Sequence, residues 1–166
     1  GGSLEECKKL GEKVNKNAGT MGVAFTSCTV PAAGKPTFDI GENEMEFGVG
    51  IHGEPGRKRE KIQPSKTIVS NILDAILDNL KPENNEKTLL FVNGMGGTPL
   101  TELYLVYDDA CQILKSKGVE VTRSLVGNYC TSLEMQGASI TVLKCDEEIL
   151  KHWDAPVHTA AMRWGM

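Results

Sequence analysis

Three histidines and five cysteines are the side chains best suited to act as nucleophiles, bases or metal ligands near neutral pH. The cysteines are Cys7, Cys28, Cys111, Cys130 and Cys145. Their number is odd and no two form a C-x-x-C pair, so a zinc ribbon and a thioredoxin motif are excluded by spacing. They read as scattered free thiols of a reducing compartment, with neither disulfide nor metal expected. His152 and His158 lie in a C-terminal segment without convergent partners and read as surface residues. His52 differs by its address. Residues 44–51 alternate, with Met45, Phe47, Val49 and Ile51 apolar and Glu44, Glu46, Gly48 and Gly50 polar or bare. That period of two reads as a half-buried strand ending at His52-Gly53-Glu54-Pro55-Gly56, a tight-turn composition. Continuing the alternation puts His52 on the face of Glu46, Gly48 and Gly50, where the two preceding positions carry no side chain. Bare backbone there leaves room for a ligand or another chain. One reading is a nucleophile, base or ligand at a strand end; the other is a turn histidine bonded to nearby backbone. Cys and His partners do not cluster around it, which disfavours a metal.

Two glycine-rich stretches ask for phosphate chemistry. Gly48 to Gly53 matches G-x-G-x-x-G, but a dinucleotide site needs that motif to open a helix, and Glu54-Pro55-Gly56 and a charge run follow instead. Asn93-Gly94-Met95-Gly96-Gly97-Thr98-Pro99 sits between an expected strand and helix, where phosphate loops sit, yet lacks the Lys-Ser/Thr of a Walker motif. It reads either as a backbone anion nest or as a turn whose glycines permit close packing. No G-x-S-x-G supports a Ser-His-Asp hydrolase.

The elements that must position these residues follow from periodicity. Ser3 and Glu6 form a capping box for a helix with Leu4, Cys7, Leu10 and Val14 on one face, stopped by Asn15, Asn17 and Gly19. Gly22 to Cys28 predicts a strand, followed by a Pro- and Gly-bearing loop from Thr29 to Pro36. Arg57 to Lys61 reads as a charged linker. A helix over 66–80 should bury Ile68, Ile72, Leu73, Ile76 and Leu77, and Pro82 closes it. Thr88–Val92 is a compact strand. The next helix carries Leu103, Tyr104, Val106, Tyr107, Cys111 and Leu114 toward the core and stops at Gly118. Val119–Leu125 and Ala138–Lys144 predict strands, with residues 129–137 open between strand and loop. Asp146 caps a short last helix through Lys151. The order α-β-β-α-β-α-β-β-α predicts an α/β fold, a mixed β-sheet flanked by α-helices in a single domain, rather than a pure parallel Rossmann sheet.

Composition bounds the rest. The chain has 166 residues, 40% apolar and 24% charged. That is an ordinary globular domain, long enough to bury a core without staples. A net charge of -4 without a basic run gives no footprint for nucleic acid. No apolar stretch approaches the ~20 residues of a membrane span. The opening Gly1-Gly2-Ser3 is not a signal peptide, and without an initiator Met it reads as the start of a piece of a longer chain.

Several runs together resemble one family. They are Thr20-Met21-Gly22-Val23-Ala24, Ser27 to Phe38, Glu44-Met45-Glu46, Gly50-Ile51-His52-Gly53-Glu54-Pro55-Gly56, Asn93 to Pro99 and Thr131 to Thr141. In this order, from Ser3 almost to Trp164, the chain resembles the dihydroxyacetone kinase K subunit. The resemblance implies phosphorylation of dihydroxyacetone, with the substrate held as a covalent hemiaminal on the histidine of the G-I-H-G-E-P-G turn, His52, which is thus both the catalytic and the substrate-binding residue. It implies no cofactor on this chain: ADP or ATP with Mg belongs to a nucleotide-binding L-type subunit or a fused domain, recharged by a phosphotransferase-system donor protein in bacterial members. It further implies a homodimer, a cytoplasmic location, and neither nucleic acid nor membrane as partner. The family's K subunits are roughly twice this long. Residues 1–166 are therefore expected to be the C-terminal domain, with the N-terminal half absent. The family's acid/base aspartate and a further active-site histidine belong to that half, so this piece alone is expected to be inactive. The alternative within the resemblance is a non-catalytic paralogue that binds dihydroxyacetone through His52 and acts as sensor and coactivator of a transcription regulator.

Overall fold

The computed structural model describes residues 1–51 and 56–165. The first helix, α1 (Leu4–Asn17), opens on the expected capping box: the Ser3 hydroxyl accepts from the Glu6 N–H, and the Glu6 carboxylate accepts from the Ser3 N–H. Three strands follow, β1 (Ala18–Ala24), β2 (Glu44–Phe47) and β3 (Lys58–Lys61). Then come α2 (Ser65–Leu80), β4 (Lys87–Gly94), α3 (Leu100–Ser116), β5 (Glu120–Gly127), β6 (Gly137–Lys144) and α4 (Glu147–Trp153). A hairpin of β7 (Val157–His158) and β8 (Arg163–Trp164) ends the described chain.

The main sheet has six strands in the order β3-β2-β1-β6-β4-β5. Only β4 and β5 are parallel, joined through α3 as a parallel pair requires; every other pairing is antiparallel. The sheet is therefore mixed, as the element order implied. Helices α2 and α3 cover one face. Ile68, Val69, Ile72, Leu73 and Ile76 of α2 and Leu103, Ala110, Ile113 and Leu114 of α3 pack onto Val23, Met45, Phe47, Leu90, Val92, Ile140 and Val142. Ser65 donates from the start of α2 to Asp109 of α3 at 2.7 Å, tying the two helices. On the opposite face α4 and the end of α1 cover Leu89 and Leu143, while Cys28, Val49, Met95 and Met135 make a separate small core under the loops. The cysteines are all free.

The structure corrects several expectations. β1 begins at Ala18 and ends at Ala24, not Gly22–Cys28: Ala18 to Met21 pair with Leu143 to Ile140, and that pairing recruits a stretch too small and polar to announce itself. Residues 57–61 are largely β3 rather than linker, because an edge strand can carry charges on a solvated side. The β7–β8 hairpin was not foreseen; Trp153 and Trp164 meet edge to face beside it, with centroids 5.9 Å apart. Tyr104 is 54% exposed, with Ala110 and Ile113 taking the core side of α3 instead, and Leu77 is half-buried. The apolar stripe of α1 is covered only toward its C-terminal end, where Val14 packs; Leu4 is 88% exposed. Residues 129–136 are loop, and α4 runs to Trp153.

Burial on α2 sets a direct test. Leu73→Ala, at a fully buried position, should lower unfolding free energy by about 2–5 kcal/mol in urea titrations, whereas Leu4→Ala should stay within about 0.5 kcal/mol of wild type. Equal losses at the two positions would refute this packing.

Candidate functional site

Strand β2 does not continue to Ile51. It ends at Phe47 because Gly48 takes φ +76°, a left-handed conformation that glycine adopts without steric cost and that breaks the alternation. The Gly48 N–H donates to the Gly22 carbonyl of β1 at 2.7 Å, and the Arg57 N–H donates to the Phe47 carbonyl at 2.6 Å. The chain from Gly48 to Gly56 thus leaves and rejoins the sheet through one narrow neck. The facing argument made for His52 from the 44–51 alternation is lost at Gly48. His52 itself, with Gly53, Glu54 and Pro55, lies outside the described residues.

At the neck sits Glu46, from the polar side of the alternation. Glu46 is only 6% exposed. Met45 and Phe47 point to the α2–α3 core as expected, so Glu46 points to the other face, and the returning chain covers it. Its two oxygens have separate partners. One accepts the Gly56 N–H at 2.7 Å; the other accepts the Arg59 Nε and Nη2 at 3.2 and 2.8 Å. Arg59 is the residue paired with Glu46 across β2 and β3. Burial of the carboxyl pushes its pKa up, but the Arg59 guanidinium and the Gly56 N–H outweigh it and hold the group below the usual carboxylate range. A Cβ on Gly56 would run into the Phe47 carbonyl, so the close approach at the neck needs glycine there.

Beside the neck a cleft of about 420 Å³ follows the free edge of β1. Ala75, Ile76 and Asn79 of α2 form one wall, and Thr20, Gly22 and Ser139 lie on the sheet side. Gly50 and Ile51, which lead into the undescribed segment, and Arg57, just after it, also line this cleft. The cleft opens there because β2 pairs with β1 only at Val23 and Ala24, leaving Ala18 to Met21 without a neighbouring strand on that side.

The Asn93–Pro99 loop packs close to its neighbours instead of forming an anion nest. The Met95 N–H donates to the Gly137 carbonyl and the Gly97 N–H to the Met135 carbonyl, so these donors face protein acceptors. Gly96 has φ +120°, and a Cβ there would collide with the Leu133 carbonyl. Asn93, 2% exposed, clamps the facing loop: its Oδ1 accepts the Tyr129 and Cys130 N–H groups, and its Nδ2 donates to the Cys130 carbonyl. Thr98 Oγ bridges the Gly137 N–H and carbonyl at 2.8 Å each. Among the described residues no three His, Cys, Asp or Glu side chains converge on a metal-holding position. His152 and His158 are exposed, as their sequence context implied.

Residues 1–161 match the family model described as the Dak1 domain. The chain belongs to the Dak1 domain family. It is 42% identical, over 99% of its length, to the dihydroxyacetone-binding subunit DhaK of the PEP-dependent dihydroxyacetone kinase of Escherichia coli, covering 53% of that protein. It is 49% identical, over 89% of its length, to the corresponding subunit of PTS-dependent dihydroxyacetone kinase 1 of Listeria innocua, covering 45% of it. Among solved structures it superposes on a dihydroxyacetone kinase operon co-activator, Dha-DhaQ, with TM-score 0.86 and 34% identity, over 94% of this chain and 49% of that one. It also superposes on the dihydroxyacetone kinase of C. freundii in complex with AMP-PNP and Mg2+, with TM-score 0.78 and 28% identity, over 99% of this chain and 30% of that one. The chain thus spans about half the length of the curated relatives it matches.

In this Dak1 domain the residues that sequence reasoning missed are Glu46, Arg59 and Asn93. Nothing in the local pattern marks them, since each acts on a segment remote in sequence. Two measurements probe them. Asn93→Ala should cost about 1–3 kcal/mol in denaturant unfolding, because it removes the buried side chain that accepts from the Tyr129 and Cys130 N–H groups, and should speed amide exchange there. A depressed carboxyl stabilises the fold above its unfolded pKa and loses that effect as pH falls through the folded pKa. The stability advantage of wild type over Glu46→Gln should therefore be full at neutral pH and shrink on acidification below the usual carboxylate range; a pH-independent difference would count against the ion pair.

Proposed function

We propose that this Dak1 domain is the substrate-binding part of a dihydroxyacetone kinase, holding dihydroxyacetone as a hemiaminal on His52 while a partner subunit or fused domain supplies the nucleotide and its Mg. The observation that carries the reading is the match to dihydroxyacetone-binding DhaK subunits over nearly the whole chain, with the G-I-H-G-E-P-G run inside it. The narrow neck beside the β1 cleft supports it, since the segment bearing His52 starts and ends at that cleft. A neutral imidazole is the nucleophile such chemistry needs.

The addition balances without a co-reactant. The unprotonated ring nitrogen forms a bond to the ketone carbon, and the carbonyl π pair moves to oxygen. That oxygen takes up one proton while the other ring nitrogen gives one up, leaving a neutral substituted imidazole and a tertiary alcohol. Glycerol lacks the carbonyl and cannot form this bond, so the anchor supplies a selectivity that hydroxyl contacts alone would give poorly. The anchored terminal hydroxyl is then oriented for in-line attack on a phosphoryl group, a reaction in which positioning is most of the catalysis. In this reading residues 1–166 are the C-terminal domain of a K-type subunit. Its partners are an L-type nucleotide subunit or fused domain, a phosphotransferase-system donor if the system is bacterial, and a second copy in a homodimer, in the cytoplasm.

The likeness to the Dha-DhaQ co-activator favours a second reading, a dihydroxyacetone-binding regulator that keeps the anchor and performs no transfer. Phosphate transfer from a supplied nucleotide subunit separates the two. For the anchor, dihydroxyacetone labelled with ¹³C at the ketone carbon should shift from an sp² to an sp³ position on saturating a chain completed to the length of its relatives. His52→Ala should abolish that signal and most discrimination against glycerol. An unshifted ketone carbon at saturation, or an adduct mapped to another residue, would overturn the assignment; a strong adduct on residues 1–166 alone would show that the other half is not needed for it.

A further inference from the structure

The core on the α2–α3 side of the sheet is left open at one end. Between the N-terminal turns of α2 and α3 a hollow of about 190 Å³ reaches down to Val23, Ala138 and Ile140 of the sheet. A second, broader hollow of about 490 Å³ is lined by residues 36 and 38–42. Phe25 and Ile62 line both, so the two form one groove. We propose that this groove is a docking site for a segment of a partner protein that sets an aliphatic or aromatic side chain in the first hollow and a lysine or arginine in the second. The proposal is independent of the His52 reading, since the groove shares no lining residue with the β1 cleft.

Packing carries the first half of the argument. Protein interiors are filled to the density of organic crystals, so a space of this size over core residues is normally taken by a side chain. Here no described side chain fills it, although its floor is apolar. Ile62 and Leu105 line it at 48% and 55% exposure, and Phe25 is half-buried where the two hollows join. Apolar surface gathered around a concavity marks a contact site, whereas single exposed apolar residues do not. At protein interfaces a side chain anchored in such a pocket carries a large share of the binding energy.

Charge decides the occupant. Among the described residues the charged ones that line the groove are Glu102 in the first hollow and Asp39 and Glu42 in the second, with no lysine or arginine. All three carboxylates are exposed, and none of them belongs to an ion pair among the described residues. Asp39 lies near enough to Arg59 to favour its charge, but that guanidinium is already held by Glu46 and flanked by Glu44. A second copy of this chain, with a net charge of -4, would bring like charge to an acidic rim. A free apolar ligand would leave Asp39 and Glu42 unused. An apolar anchor beside a cation suits both hollows, and at a solvated rim the cation sets encounter rate and choice of partner more than affinity.

The test titrates fluorescently labelled peptides into the chain completed to its relatives' length and reads anisotropy. One set of peptides flanks a leucine–phenylalanine pair with lysines, the other with glutamates. The lysine set should bind about tenfold more tightly or better than the glutamate set. Ile62→Asp and Leu105→Asp, both at exposed positions, should each weaken the lysine set about tenfold or more. Asp39→Asn, Glu42→Gln and Glu102→Gln combined should weaken it and flatten its salt dependence. Leu4→Asp, at an exposed apolar position on α1, should leave its affinity within about twofold. Equal affinity for the two sets, or lysine-peptide affinity undiminished in both Ile62→Asp and Leu105→Asp, overturns the proposal. Absence of binding to the completed chain overturns it too, whether the rest of that chain covers the groove or nothing does. A dimer that Ile62→Asp dissociates in sedimentation would give the groove to a second copy and overturn the basic partner.

Discussion

Strand β6 is the constraint on which this fold depends. Antiparallel partners line both of its edges, β1 along seven residues and β4 along seven, so its central backbone groups face strand neighbours on either side. Its inward side chains Ala138, Ile140 and Val142 meet α2 and α3, while Leu143 meets the α4 side. A one-residue slip in either pairing would turn those residues to the wrong face. The register of β6 therefore fixes β1, and β1 fixes where β2 can attach.

The site is built from what this arrangement leaves unfinished. β1 is paired along its whole length to β6 but to β2 only at Val23 and Ala24. The short attachment leaves Ala18 to Met21 with a free edge, and the cleft follows it. After β2 ends at Gly48, Gly50 and Ile51 line that cleft, and Gly56, held by Glu46, and Arg57, held by the Phe47 carbonyl, lead into β3. On the other face Leu89, Leu143, Cys145, Ile149 and Leu150 are packed together beneath α4, and Arg123 is paired with Asp154.

The glycine-rich stretches show how one composition serves different ends. Gly48 ends a strand, and Gly56 admits a carbonyl and a carboxylate at close range. The glycines of the Asn93 loop let it lie against residues 131–137, where its donors meet protein acceptors. In the Asn93 loop the Met95 and Gly97 N–H groups are taken by the Gly137 and Met135 carbonyls, so they are not among the free donors that phosphate binding by such loops requires. After Gly56 the chain enters β3, and α2 begins only at Ser65.

The sequence by itself determined what is local. The capping box of α1, the apolar stripe of α2 with its stop before Pro82, the compact apolar β4 and the Asp146 cap of α4 all depend on neighbours within a few residues, and each is in place. The resemblance carried by the G-I-H-G-E-P-G turn and its companion runs was legible too, because an ordered set of short motifs is specific even without coordinates. Only the tertiary structure decided the rest. β1 starts at Ala18 because β6 offers a partner, not because Ala-Gly-Thr favours a strand; Lys58–Lys61 is a strand because β2 has a free edge. Glu46 is buried because a chain ten residues further on returns across it. Alternation can assign a residue to a face of the sheet, but whether water or protein covers that face depends on closures between distant segments, and those belong to the fold as a whole.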